Sequence, residues 1–205
     1  EQRCVEIPEK NIFVYGLSFE HKEVRSPLYD EWKPVNKPGF HVLLAHGGDL
    51  SCCPMDFTGL AAAGFDYVAL GHSHKPHTVC RDKIAYSGSL EPLDRNDLGK
   101  HGYIQGEYEN GNVKVRLVPC ANRSYQNLVL NVDRDTTQYK LEEMLRSEVM
   151  RRGGRNIYRL ILKGRVSPDN VLLTERLHGL GNIVEIMDES RPAYKIEELY
   201  RQYRG

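Results

Sequence analysis

The sequence predicts an α/β chain in two parts, and three observations carry that reading. Two short apolar runs, residues 41–45 (HVLLA) and 66–70 (DYVAL), flank a helix-like segment, and both stop at glycine and histidine. Asn110-Gly111 joins two alternating segments. From Pro119 onward, strand-like and helix-like segments follow one another in βαβαβ order, a texture separate from the first part.

Residues 11–19 (NIFVYGLSF) are apolar, β-branched or aromatic enough for a strand. A charged, Pro-punctuated stretch then runs to Gly39 and reads as loop with one helical turn. The run 41–45 suits a buried strand. Pro54 stands at a first helical position, and 55–63 (MDFTGLAAA) reads as a helix closed by Gly64. With the strand at 66–70 this makes a parallel crossover unit, and in open α/β sheets functional groups collect at the carboxyl ends of such strands.

A β-meander is expected from Ile84: 84–89 (IAYSGS), 102–109 (GYIQGEYE) and 112–118 (NVKVRLV). Asn110-Gly111 between the last two is a hairpin signal, because both central residues must take positive φ. Further on, 128–132 reads as a strand, 137–152 as a helix ended by Gly153-Gly154, and 157–163 as a strand. Residues 168–178 read as a helix ended by Gly179, and 183–187 as a last strand. This order resembles a small α+β split-βαβ module.

The 205 residues carry 28 basic and 28 acidic side chains, with 40% hydrophobic content. Zero net charge excludes a polybasic protein that binds nucleic acid by bulk charge. No stretch approaches the roughly 20 apolar residues that span a bilayer, and residues 1–10 lack the regions of a signal peptide. A cytoplasmic protein with no membrane contact is expected. Cys4, Cys52, Cys53, Cys80 and Cys120 are odd in number and lack framework spacing, so reduced thiols are expected. A first residue of Glu1 rather than Met points to part of something longer.

Gly71-His72-Ser73-His74 follows the 66–70 strand. In extended chain, residues two apart project from one side roughly 6.5–7 Å apart, so each imidazole can reach one of two metals held about 3.5–4 Å apart. An exposed turn shows the same pattern. His46 after the 41–45 run reads equally as a strand-end histidine. What raises both is their shared place at the ends of consecutive parallel strands.

Together, LLAHGGD (43–49), FDYVALGHSHKPH (65–77) and AYSGSLEPLDRNDLGKHGYIQGEY (85–108) resemble the second half of calcineurin-like metallophosphoesterases, most closely the SbcD-like and YhaO-like DNA repair exonucleases. The resemblance covers roughly residues 11–118. It implies that 1–118 form the second half of a four-layer αββα β-sandwich, and that 119–205 are a small α+β (βαβαβ) capping domain. It further implies that His46 and His72 ligate one ion of a dimanganese centre and His74 the other. Imidazole suits such first-row divalents.

The family's other ligands come from an Asp-x-His, a Gly-Asp with the bridging carboxylate and a Gly-Asn-His with a catalytic histidine. Residues 1–40 contain none of these, and Gly48-Asp49 lies two residues past His46, the wrong place for a bridge. The catalytic residues are therefore unknown in this chain. Two close divalent ions need a bridging anion against their repulsion, so the chain is expected to be inactive alone, the C-terminal part of a nuclease whose missing N-terminal half would be its partner. The resemblance also implies DNA, an SMC-like ATPase and a second copy of the chain as partners.

Other candidates have plainer readings beside them. His72, His74, His77 and Cys80 make an H-x-H-x2-H-x2-C string that reads as zinc-like, but no second pair stands at finger-like spacing. Ser87 and Ser89 would place hydroxyls near a phosphate, or form a tight turn. His101 reads as a turn residue. Residues 119–205 include Arg151, Arg152, Arg155, Arg159, Lys163 and Arg165 and carry a net +3 against −3 on 1–118, a conceivable phosphate-contacting edge, although cations at a helix C-terminus are favoured by the macrodipole anyway. A catalytically silent scaffold, and a phosphatase or phosphodiesterase on another substrate, are the alternatives.

Overall fold

A computed structural model describes residues 3–19 and 24–194. The chain divides into two units, 1–93 with 100–121 and 94–99 with 122–205.

The first unit opens with a strand that the sequence pattern did not reveal. Arg3–Ile7 (β1) pairs antiparallel with Ile12–Gly16 (β2), and Asn11 turns the chain between them at φ 53°. Phe40–His46 (β3), Tyr67–Gly71 (β4) and Ile84–Tyr86 (β6) continue the sheet in parallel, and His77–Cys80 (β5) closes it antiparallel to β6. The order is β1-β2-β3-β4-β6-β5. Two expectations are corrected here. The IAYSGS segment joins the parallel sheet rather than a meander, and a strand at 77–80 precedes it. Both strands are too short for period-two alternation to be legible.

The crossover from β3 to β4 passes through Phe57–Ala62 (α1), shorter than the expected 55–63. Pro54 lies outside it. Asp56 takes the N-cap, its carboxylate accepting from Thr58 N–H at 3.0 Å, which satisfies a donor the first turn leaves open. Leu60 of α1 is buried with Phe13, Tyr15, Leu43, Val68, Leu70, Ile84 and Tyr86 from one sheet face. On the other face Leu44 is half exposed, so β3 is not buried on both sides. A cavity of about 710 Å³ lies there, lined by Phe40, Tyr67, Ala69 and Ala85 together with Tyr103 and Val113 of the hairpin described next.

Gly102–Glu109 (β7) and Asn112–Pro119 (β8) form that hairpin. Asn110 and Gly111 stand at φ 51° and 77°, the left-handed pair the sequence requires for a two-residue turn.

In the second unit Tyr125–Val132 (β9), Ile157–Val166 (β10) and Ile183–Pro192 (β11) make a sheet of order β11-β10-β9, parallel throughout. No strand is inserted between neighbours, so the module is not a split βαβ. Gln138–Arg152 (α2) crosses from β9 to β10. Thr137 caps it, accepting from Lys140 N–H at 3.3 Å, and Gly153 N–H ends it on the Val149 carbonyl at 2.9 Å. Leu141, Leu145 and Val149, four apart, are its buried face.

The second crossover is not the helix expected at 168–178. Only a 3-10 helix forms, at Thr174–Leu180, and it runs past Gly179. Side chains hold the preceding segment in irregular form: Asn170 Nδ2 donates to the Arg134 and Thr136 carbonyls, and Leu173 N–H donates to Gln138 Oε1 at 2.8 Å. Such bonds compete with the helix ladder. Among the described residues no helix is long and apolar enough to cross a membrane.

Candidate metal centre

Parallel pairing of β3 with β4 sets His46 opposite Gly71. The glycine is needed: a Cβ at Gly71 would stand 2.9 Å from His46 Nδ1. His72 follows at φ 99°, an uncommon conformation for a residue with a side chain. Its ring meets that of His46 edge to face, centroids 5.4 Å apart.

The chain after His46 then doubles back. Gly48 N–H is shared between the carbonyls of Cys52 (2.9 Å) and Cys53 (2.8 Å), and the buried Tyr86 hydroxyl donates to the Gly47 carbonyl at 2.7 Å. Gly47 and Gly48 both have positive φ, 129° and 110°. A Cβ on Gly47 would stand 2.6 Å from the Cys52 carbonyl, and one on Gly48 would run into Tyr86 Oη and sit 2.9 Å from Phe57. Only glycines permit this loop.

The loop delivers two further groups. Asp49 Oδ1 accepts from Ser51 N–H (2.7 Å), Ser51 Oγ (2.6 Å) and Cys52 N–H (2.8 Å), while Oδ2 sits 2.6 Å from His72 Nε2. A carboxylate only accepts, so Nε2 carries the proton of this bond. Cys52 closes the group: donor atoms of His46, Cys52 and His72 all lie within 4.8 Å of one another.

Three titratable groups at the loop are shifted from their ordinary values. Hydrogen bonds from Ser51 and then His72 hold the Asp49 carboxyl well below the usual carboxylate range. Partial burial, and then the nearby His72, push His46 below the ordinary histidine value, so its imidazole is neutral near pH 7 and able to act as a ligand. Burial, and then the charge of Asp49, push the Cys52 thiol up.

His74 is not part of that group. It lies exposed in the same turn, its carbonyl accepting from Ser89 N–H (2.9 Å) and Ser89 Oγ (3.3 Å). Ser89 Oγ also lies 3.0 Å from Nδ1 of His101, which is fully buried rather than in an exposed turn. The Ser87 hydroxyl donates to the Gly88 carbonyl at 3.3 Å. His77 stacks on Tyr86 at 4.4 Å, and Cys80 lies in β5. Among the described residues neither belongs to a three-donor group. Arg151 and Arg152 pair with Glu148, Arg159 with Glu185 and Lys163 with Glu189, so these four cations already have partners.

Asp49 and Cys52 were missed by sequence reasoning. The signal for them was Gly47-Gly48 directly after His46, which lets the chain reverse, and the Asp49-x-Ser51 pattern of a side-chain-closed turn. The dimanganese centre implied by the resemblance can be tested on this donor set. Two manganese ions call for oxygen donors and a bridging carboxylate. The cluster offers two imidazoles and a sulfur, with the one adjacent carboxylate bound to a ligand ring. By itself this cluster supplies no carboxylate bridge and so does not make a manganese pair on its own.

No family model matches the chain. It is 22% identical over 162 residues to a Bacillus subtilis (strain 168) protein described as "Uncharacterized metallophosphoesterase YhaO", which covers 74% of this chain. The chain spans 40% of that relative's length. The mixed α/β structure with its six-stranded sheet is compatible with a metallophosphoesterase fold, and this distant similarity supports that superfamily.

Proposed function

We propose that the chain is the second half of a metal-dependent phosphoesterase of the SbcD type, a DNA exonuclease of the cytoplasm, followed by its capping domain. The observation that supports this best is the pairing of His46 with His72 at the ends of adjacent parallel strands. In such enzymes bound divalent ions hold a phosphoryl oxygen and lower the pKa of water. This chain's part is to present two imidazoles at the carboxyl ends of two adjacent inner strands. Ser89, through His74 and His101, fixes the turn that follows. The bridging carboxylate belongs to the upstream half, and DNA, an SMC-like ATPase and a second copy are the partners that go with this reading.

The test is hydrolysis of a DNA oligonucleotide and of a phosphomonoester by the chain extended with its upstream sequence, against the 205 residues alone. The extended protein should cleave DNA, the 205 residues should not, and His72→Asn in the extended protein should lower the rate by about 100-fold or more. Equal rates with and without the extension would refute the half-enzyme reading. Hydrolysis of the monoester alone would replace DNA by another substrate.

A further inference from the structure

Neither ring nitrogen of His46 nor the sulfur of Cys52 is hydrogen-bonded to a described residue, although both stand at a loop whose Gly47, Gly48, Ser51, Cys52 and Cys53 N–H groups are all bonded. We propose that His46, Cys52 and His72 form a single-ion site with the Cys52 sulfur as a ligand, selective for a borderline-soft divalent cation, zinc above all, over manganese. Two features support it. The donor atoms lie within 4.8 Å of one another. On a tetrahedral ion with bonds of about 2.0–2.3 Å, donors stand roughly 3.3–3.8 Å apart, so side-chain adjustments of about an ångström close the site. The surroundings allow this approach: Gly47 and Gly48 of the loop, and Gly71 at the end of β4, are the positions where a Cβ would collide with Cys52, Tyr86 and His46 in turn. The two loop glycines are what let the chain double back towards the imidazoles.

The chemistry of the donors selects the ion. Thiolate and imidazole together suit zinc, whereas manganese prefers carboxylate, carbonyl and water oxygens. On binding, the Cys52 S–H bond breaks, its proton goes to solvent, and the sulfur bonds the ion. Asp49, against His72 Nε2 at 2.6 Å, stands where an outer carboxylate fixes a ligand ring. Three protein donors leave the fourth position open to water or an anionic oxygen, as in zinc sites that react rather than merely brace a fold.

The experiment is a cobalt(II) titration of the 205-residue chain, cobalt serving as the coloured stand-in for zinc. The expected result is one ion per chain with a thiolate-to-cobalt charge-transfer band, bleached by zinc and unaffected by excess manganese. Cys52→Ser should remove the band and weaken binding at least about 10-fold, while Cys80→Ser and Cys120→Ser keep it. X-ray absorption of the zinc-loaded wild-type chain should read one sulfur with nitrogen or oxygen neighbours, which answers the question even if Cys52→Ser misfolds. No sulfur neighbour, a band that survives in Cys52→Ser, or displacement by manganese would each overturn the proposal. The inference does not rest on the phosphoesterase reading. An intact band with no hydrolysis by the extended protein overturns that reading alone, and hydrolysis without the band overturns this one alone.

Discussion

In the first unit, β3 and β4 run parallel and end at His46 and Gly71, beyond which the backbone is strained and a ring and a thiol face each other without hydrogen bonds to described residues. In the second unit, β9 and β10 also run parallel, but polar side chains along and after these strands are paired with one another. Asp133 after β9 accepts from Thr136 Oγ1 at 2.6 Å and from Lys140 Nζ at 3.1 Å, and Arg159 and Lys163 are matched by Glu185 and Glu189 on the neighbouring strand. The same strand arrangement thus ends once in groups that satisfy one another and once in groups held ready for something else. Strain and unpartnered donors persist only where surrounding structure enforces them, and they cluster at functional sites.

Several substitutions would break or sharpen that contrast. The largest effect is expected from Leu145→Ala, which empties a fully buried position in the second unit. It should cost about 2–5 kcal/mol in chemical denaturation and leave the cobalt spectrum of the first unit unchanged. Loss of that spectrum would mean the two regions are not independent in this respect. Next, Gly48→Ala places a Cβ against Tyr86 and Phe57 at φ 110°. A cost of about 1–3 kcal/mol together with loss of the charge-transfer band is expected. A band that persists would show that the loop does not need glycine to bring Cys52 home. Thr137→Ala, which removes the α2 cap, should cost about 1 kcal/mol, read as a lower denaturation midpoint.

The smallest effects are those of pH, and they separate the units by window. Glu148 is held at about 2 by the hydrogen bonds of Arg151 and then Arg152. Its folded value lies below its unfolded one, so its contribution is present above the ordinary 4.5 and is lost as pH falls towards about 2. Glu148→Gln should flatten the profile there. His46 is also pushed down, but as a base: the unfolded chain takes up a proton first, so stability falls as pH drops below the ordinary 6.5. His46→Asn should remove that loss in urea melts between neutral and mildly acidic pH. An unchanged profile would place the ring in open solvent.

What could be read ahead of the structure follows from how local each signal is. Asn110-Gly111, the α2 helix with its capping Thr137, and the β3-α1-β4 crossover are set by contacts within a few residues, and the structure has them nearly where the pattern puts them. The 168–178 helix failed because Asn170 and Gln138, about 30 residues apart in sequence, compete for the backbone in a way no window sees. Strands β1 and β5 failed because edge strands of four or five residues depend on their neighbours for existence. At the site, the order of His46, Gly71 and His72 was legible because parallel strands in a crossover lie side by side.

By itself, the sequence determined an α/β chain in which histidines end consecutive strands, because apolar periodicity and glycine punctuation are local properties. Only the tertiary structure decided that Asp49 and Cys52 belong with those histidines and that His74 does not. The reason is geometric: a loop of seven residues, tied by Tyr86 and folded at Gly47 and Gly48, returns the sulfur to the strand ends that the linear order has already left.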